Sequence, residues 1–140
     1  MGRMSSFSGT HPFRAAAESG DVDALLAELA PDVVLHSPVT FRPYVGREAV
    51  GGLLRLVSET FDYWRCVDEI HGPDGVTAFV FDARVGDREL QGLDLLRLDG
   101  DGLIIDLTVM IRPLSGLVAL AQAIGPKVDA AGLKPAKSAA

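Results

Sequence analysis

The sequence predicts an α+β fold in which one curved antiparallel sheet is wrapped around helices. Two observations predict it. From Phe61 onward the apolar residues recur at every second position, giving candidate strands over 61–71, 75–85, 88–98 and 103–112. The turns between them, Gly72 to Gly75, Gly86-Asp87 and Asp99-Gly100-Asp101-Gly102, are too short for a crossover, so consecutive strands must be antiparallel neighbours. Outside this block the apolar spacing is helical. Long strands and several amphipathic helices in 140 residues imply a bent sheet closing on its helices, and such a sheet can enclose a pocket.

The elements follow in order. Thr10 is placed to cap a first helix, with Pro12 tolerated in its opening turn and Phe13, Ala16 and Ala17 on one face; Gly20 ends it. Asp21 caps a second helix whose Val22, Leu25, Leu26 and Leu29 follow the i, i+3, i+4, i+7 pattern, and Pro31 stops it. A short strand is expected over 32–37, then a loop holding Pro38, Pro43 and Gly46. A third helix starts near Arg47 and buries Val50, Leu53, Leu54 and Val57. Gly51 and Gly52 inside it each cost about 1 kcal/mol relative to alanine, so packing must hold this helix together. After the four strands a closing helix is expected over 113–124, with Leu114, Leu117, Val118 and Ala121 on one side and Gly125-Pro126 as its stop. The organisation is then a flexible N-terminus (1–10), one domain (11–125) and a mobile Ala/Lys/Gly/Pro-rich tail (126–140).

Composition narrows the function classes. The net charge of −6 argues against nucleic-acid binding and against docking on anionic membranes, both of which need a basic face. A single cysteine, Cys66, has no internal partner, so a cytoplasmic setting is the default. No apolar run is long enough to span a bilayer, and the first ten residues lack the hydrophobic segment of a secretory signal. Zinc-spaced Cys/His clusters, glycine-rich phosphate loops and nucleophile elbows are all missing, so no cofactor or metal is expected.

The element order, the run Val45-Gly46-Arg47-Glu48-Ala49-Val50 at the third helix and Gly92-Leu93-Asp94 ahead of the Asp-Gly turn carry a resemblance. The chain resembles the nuclear transport factor two-like superfamily, the SnoaL-like cones of cystatin-like fold, over residues 11–125. Thr108 to Leu114 is similar to a bacterial subgroup of it. The resemblance implies a cone with a cavity on its concave face and a homodimer made through surplus apolar sheet surface. It leaves the chemistry open, because such cones include isomerases, hydrolases, cyclases, dehydratases and pure binding domains.

Alternation assigns each strand residue to a face. Asp94 is a lone carboxylate in the row Leu90, Gly92, Asp94, Leu96, Leu98. In an apolar setting it must find partners or have its pKa raised, and a carboxylate tuned upward is what a neutral-pH general acid/base requires. A structural aspartate bonded to a neighbouring hydroxyl or indole is the other reading. His36, in line with Asp32 and Val34, is the second catalytic candidate, as a proton shuttle or donor at the pocket mouth; a histidine bonded to a loop carbonyl is the alternative. Tyr44 and Trp64 are candidate ligand contacts, each with an apolar body and one polar tip, and Trp64 is expected to share its face with Cys66 and Ile70. Asp82, sharing a face with Arg84, resembles the Asp/Arg pairing of the superfamily's epoxide hydrolases; a solvent-facing ion pair is the alternative. Met110 and Arg112 complete the ligand candidates, Arg112 as an anchor for an anion. His11 and His71 read as surface residues.

Two functions remain open at this stage. One is an acid/base enzyme of isomerase, cyclase or hydratase type, acting on a mostly apolar small molecule through Asp94. The other is a ligand-binding or dimeric assembly module without catalysis.

Overall fold

The computed structural model describes residues 10–137; the expectations for the N-terminus before Thr10 and for the last three residues lie outside them. The architecture is α+β, with helices α1 (Pro12–Ser19), α2 (Val22–Ala27), α3 (Arg47–Thr60) and α4 (Leu114–Ala130). The strands are β1 (Leu29–His36), β2 (Tyr44–Val45), β3 (Trp64–His71), β4 (Val76–Val85), β5 (Arg88–Leu98) and β6 (Ile104–Arg112). They form one sheet in the order β2-β1-β6-β5-β4-β3. The meander from β3 to β6 is antiparallel, as the short turns require, whereas β1 runs parallel to β6. Parallel neighbours need a long crossover, and α3 with the four strands β2 to β5 supplies it. No helix among the described residues is long and apolar enough to cross a membrane.

Several element ends differ from the expectation. His11, not Thr10, caps α1: its Nδ1 accepts from the Phe13 N–H at 3.1 Å while its Nε2 donates to the Gly102 carbonyl at 2.9 Å. One tautomer serves both bonds. His11 is therefore no surface residue; its side chain is 9% exposed and ties α1 to the β5–β6 turn. Asp21 caps α2 as expected, its Oδ1 accepting from the Ala24 N–H at 3.1 Å.

That helix stops at Ala27, and Leu29 opens β1 instead of closing α2. Leu29 lies fully buried opposite Ile104, whose N–H donates to the Glu28 carbonyl at 2.8 Å. Pro31 sits where the β1–β6 register is irregular, so its missing N–H breaks no ladder bond. The Arg47 guanidinium then fixes the start of α3 to β1, donating from Nε and Nη2 to the Leu29 carbonyl at 3.1 and 2.8 Å.

The closing helix also outruns its expected stop. It continues through Gly125-Pro126 to Ala130, so residues 126–130 of the expected tail are helical. A proline inside a helix costs about 3 kcal/mol through its lost bond and ring clash. Ile124 and Val128 pack on the core on either side of Pro126, and that burial outweighs the local cost.

Two bulges decide which side chains face inward. Cys66 lies opposite Phe81 but Asp68 opposite Val80, so Val67 is an extra residue on β3. Beyond it Glu69 replaces Ile70 on the inner face; Ile70 is 55% exposed and does not share the face of Trp64. On β6 Arg97 pairs with Asp106 and Leu98 with Ile104, which makes Ile105 the extra residue and buries Ile104 in its place.

Candidate functional site

Cross-strand register sorts the candidates into two sets. On the inner face, Glu69, Phe79, Asp94 and Val109 lie side by side across β3 to β6. The next inner row is Cys66, Phe81, Gly92, Ile111, and Trp64 begins the one after it with Ala83 and Leu90. On the outer face, Arg65, Asp82, Gln91 and Arg112 form one continuous row.

A cavity of about 610 Å³ opens between the inner face and the helices. Most of its wall is apolar, with Leu35 and Leu107 from the sheet, Leu53 and Val57 from α3 and Leu120 and Ile124 from α4. Asp94, Tyr44 and Trp64 all line it. Asp94 is the deep charge: it is 5% exposed, flanked by Phe79 and Val109, and burial alone pushes its carboxyl from an ordinary 3.8 up to about 7. No hydrogen bond from another described residue offsets that desolvation. No sealed side-chain oxygen or nitrogen is left without a partner among the described residues, so the carboxyl oxygens face the free space of the cavity.

The aromatic wall is built around a glycine. Trp64 stacks on Phe81 with ring centroids 5.1 Å apart and meets Phe13 edge-on at 6.2 Å. The Phe81 ring occupies the space that a side chain on Gly92 would need, so only glycine lets it cross β5. Tyr44 stands opposite Leu35 on the short strand β2, and burial pushes its phenol up, the Thr40 hydroxyl pulling the other way. Tyr44 and Trp64 thus add a phenol and an indole to a wall that is mostly apolar.

The other four candidates lie outside this site. His36 follows the inward-facing Leu35 and so points outward, where its Nε2 lies 3.1 Å from Asp106 Oδ2. Asp82 accepts from Arg65 Nη2 at 3.3 Å and from Gln91 Nε2 at 3.4 Å, and Arg112 Nη1 donates to Gln91 Oε1 at 3.4 Å. Those contacts are a hydrogen-bonded chain on the outer sheet surface. Arg84 pairs with Asp62, not Asp82, at 3.2 Å. Met110 is outward as well and 56% exposed. His71 is a surface residue, as expected.

Sequence reasoning missed one stretch of the wall altogether. Leu133, Lys134 and Pro135, from the expected tail, line the cavity beside Tyr44 and Val128. The signal was faint: Leu133 is the one large apolar side chain after Val128.

The chain is similar in sequence and fold to known proteins. The family model described as the SnoaL-like domain matches residues 11–107. A steroid delta-isomerase from Pseudomonas aeruginosa is 35% identical, with a TM-score of 0.79 over 87% of this chain and 90% of its own. A protein from Silicibacter pomeroyi, described as conserved in bacteria with a cystatin-like fold, is 30% identical, with a TM-score of 0.81 over 88% of this chain and 89% of its own. No curated protein sequence matches.

Proposed function

Because the chain belongs to the SnoaL-like domain family, we propose that it is an acid–base isomerase acting on a neutral, mostly apolar small molecule. The observation that carries this reading is the unpartnered Asp94 carboxyl, held near neutrality and facing a greasy cavity of about 610 Å³. A group with that pKa is present in both protonation states at pH 7, which is the condition for taking a proton in one step and returning it in the next. The kinship to a steroid delta-isomerase supports a double-bond shift in a polycyclic ketone as the reaction to test. In that reaction the Asp94 carboxylate removes a proton from the carbon between the carbonyl and the double bond. The same carboxyl then delivers it to the far end of the enolate, so one C–H bond breaks and one forms. Trp64 N–H from β3 and Tyr44 O–H from β2, at opposite edges of the sheet, are the candidate donors, one of which is proposed to hold the charged oxygen, a stabilisation that is strong where water is excluded.

The test is conversion of β,γ-unsaturated ketones of one to four rings to their conjugated isomers, followed by ultraviolet absorbance across pH 5 to 9. Conversion with a rate that rises through pH about 7 is expected, since the first step needs the carboxylate. Saturable binding of these ketones with no conversion at any pH would replace the isomerase by a ligand-binding protein.

A homodimer through the outer sheet face belongs to the same proposal. Two outer rows there are largely apolar, Ile70-Ala78-Leu95-Thr108 and Asp68-Val80-Leu93-Met110, and the polar row of Arg65 to Arg112 borders them. Met110→Glu is expected to shift a dimer to monomer in sedimentation velocity; an unchanged mass for this variant would move the interface elsewhere.

A further inference from the structure

We propose that the C-terminal segment 131–137 is a gate over the cavity, and that ligands exchange by its detachment. The inference rests on the cavity being the ligand site and adds how that site is reached. The segment starts where α4 is closed by two bonds, Gly132 N–H to the Asp129 carbonyl and Leu133 N–H to the Val128 carbonyl, both at 3.1 Å. Gly132 takes the left-handed conformation there, with φ +70°, and turns the chain away from the helix axis and toward β2. This is a pivot that glycine adopts without strain.

Beyond the pivot the segment lines the cavity with Leu133, Lys134 and Pro135. Its attachments are few. The Leu133 methyls come within 3.3 and 3.4 Å of the point where a side chain on Gly52 would begin, so Gly52 is the seat of Leu133. Farther on, the Ala136 N–H donates to the Pro43 carbonyl at 2.7 Å, next to Tyr44. That is the only backbone hydrogen bond the segment makes after Leu133 among the described residues. A strand of chain held by the packing of one large apolar side chain, Leu133, and by one backbone hydrogen bond opens far more readily than the sheet beneath it. The body it covers is rigid by contrast, with the cavity floor made of paired strands. Small motions of this kind set ligand entry and release in many closed sites.

Two variants test the gate with a neutral fluorescent probe, N-phenyl-1-naphthylamine, in stopped-flow mixing. Ala136→Pro deletes the one N–H that reaches Pro43, and truncation after Gly132 removes Leu133 with the rest of the segment. Both are expected to raise the association and dissociation rates at least tenfold, with the Kd of Ala136→Pro changing much less than its rates. Acrylamide quenching of Trp64, the only tryptophan and a residue that lines the same cavity from the opposite edge strand β3, is read in parallel and is expected to increase in both variants. If the probe binds the parent chain and neither variant alters its rates, the gate is overturned while the ligand site stands. If the probe binds none of the proteins, the ligand site is in question and the quenching decides the gate: equal quenching overturns it, increased quenching upholds it. Should the truncated chain fail to fold by circular dichroism, Ala136→Pro carries the decision alone.

Discussion

Replacing Asp94 by asparagine is expected to lower isomerisation by about 10²–10⁴-fold, the usual worth of a positioned general acid/base. Asparagine keeps the shape of the side chain and its place between Phe79 and Val109, but it has no proton to exchange at neutral pH. Ligand affinity should stay within a few-fold, so the loss should fall on kcat and not on KM. The residual rate should also lose its inflection near pH 7, because the titrating group is gone. A variant with parental kcat, or with the same inflection, would remove Asp94 from the chemistry.

The same substitution is expected to stabilise the fold at alkaline pH. The Asp94 carboxyl titrates at about 7 when folded and near 3.8 when released to water. Between those values the native chain holds a proton that the unfolded chain has lost. Stability from this group is therefore complete below pH 3.8 and declines as pH rises to about 7, above which the native protein carries a buried charge. Some three pKa units set a ceiling of roughly 4 kcal/mol, and water admitted to the cavity will lower it, so about 2–4 kcal/mol is the expected gain for Asp94→Asn at pH 8.5. At pH 4, close to the unfolded pKa, the two proteins should nearly coincide. Urea denaturation at the two pH values measures the difference. Equal stability of parent and variant at pH 8.5 would mean that desolvation does not govern this carboxyl. A residue whose removal strengthens the fold while weakening the reaction is held there for function.

How much of this was legible in the sequence depends on what each inference needed. The inward position of Asp94 was legible because β5 is regular over its whole length, so alternation alone places its carboxyl beside Gly92 and Leu96. The cavity-facing position of Trp64 was reached for a partly mistaken reason: the bulge at Val67 turns Ile70 outward, and one extra residue leaves no mark in a periodicity. His36 was aligned with the correct row, but a parallel partner was needed to show that this row faces away from the helices. Asp82, Met110 and Arg112 are outward by the same alternation that turns Phe81, Val109 and Ile111 inward; deciding which face is the concave one required the helices in place. The tail was misread through composition. Pro126 and the small residues around it look like a helix stop, and only the burial of Ile124 and Val128 shows why the helix goes on.

Gly92 and Phe81 divide a single parcel of space between two strands, the benzene ring on one filling what the other leaves vacant. Neither position is free to change by itself. A methyl group gained at 92 demands that the ring at 81 be surrendered, and with it the surface against which the indole lies flat. Enlarging or reshaping the chamber by design should therefore alter the two together, treating them as one site that happens to be written at two places in the chain.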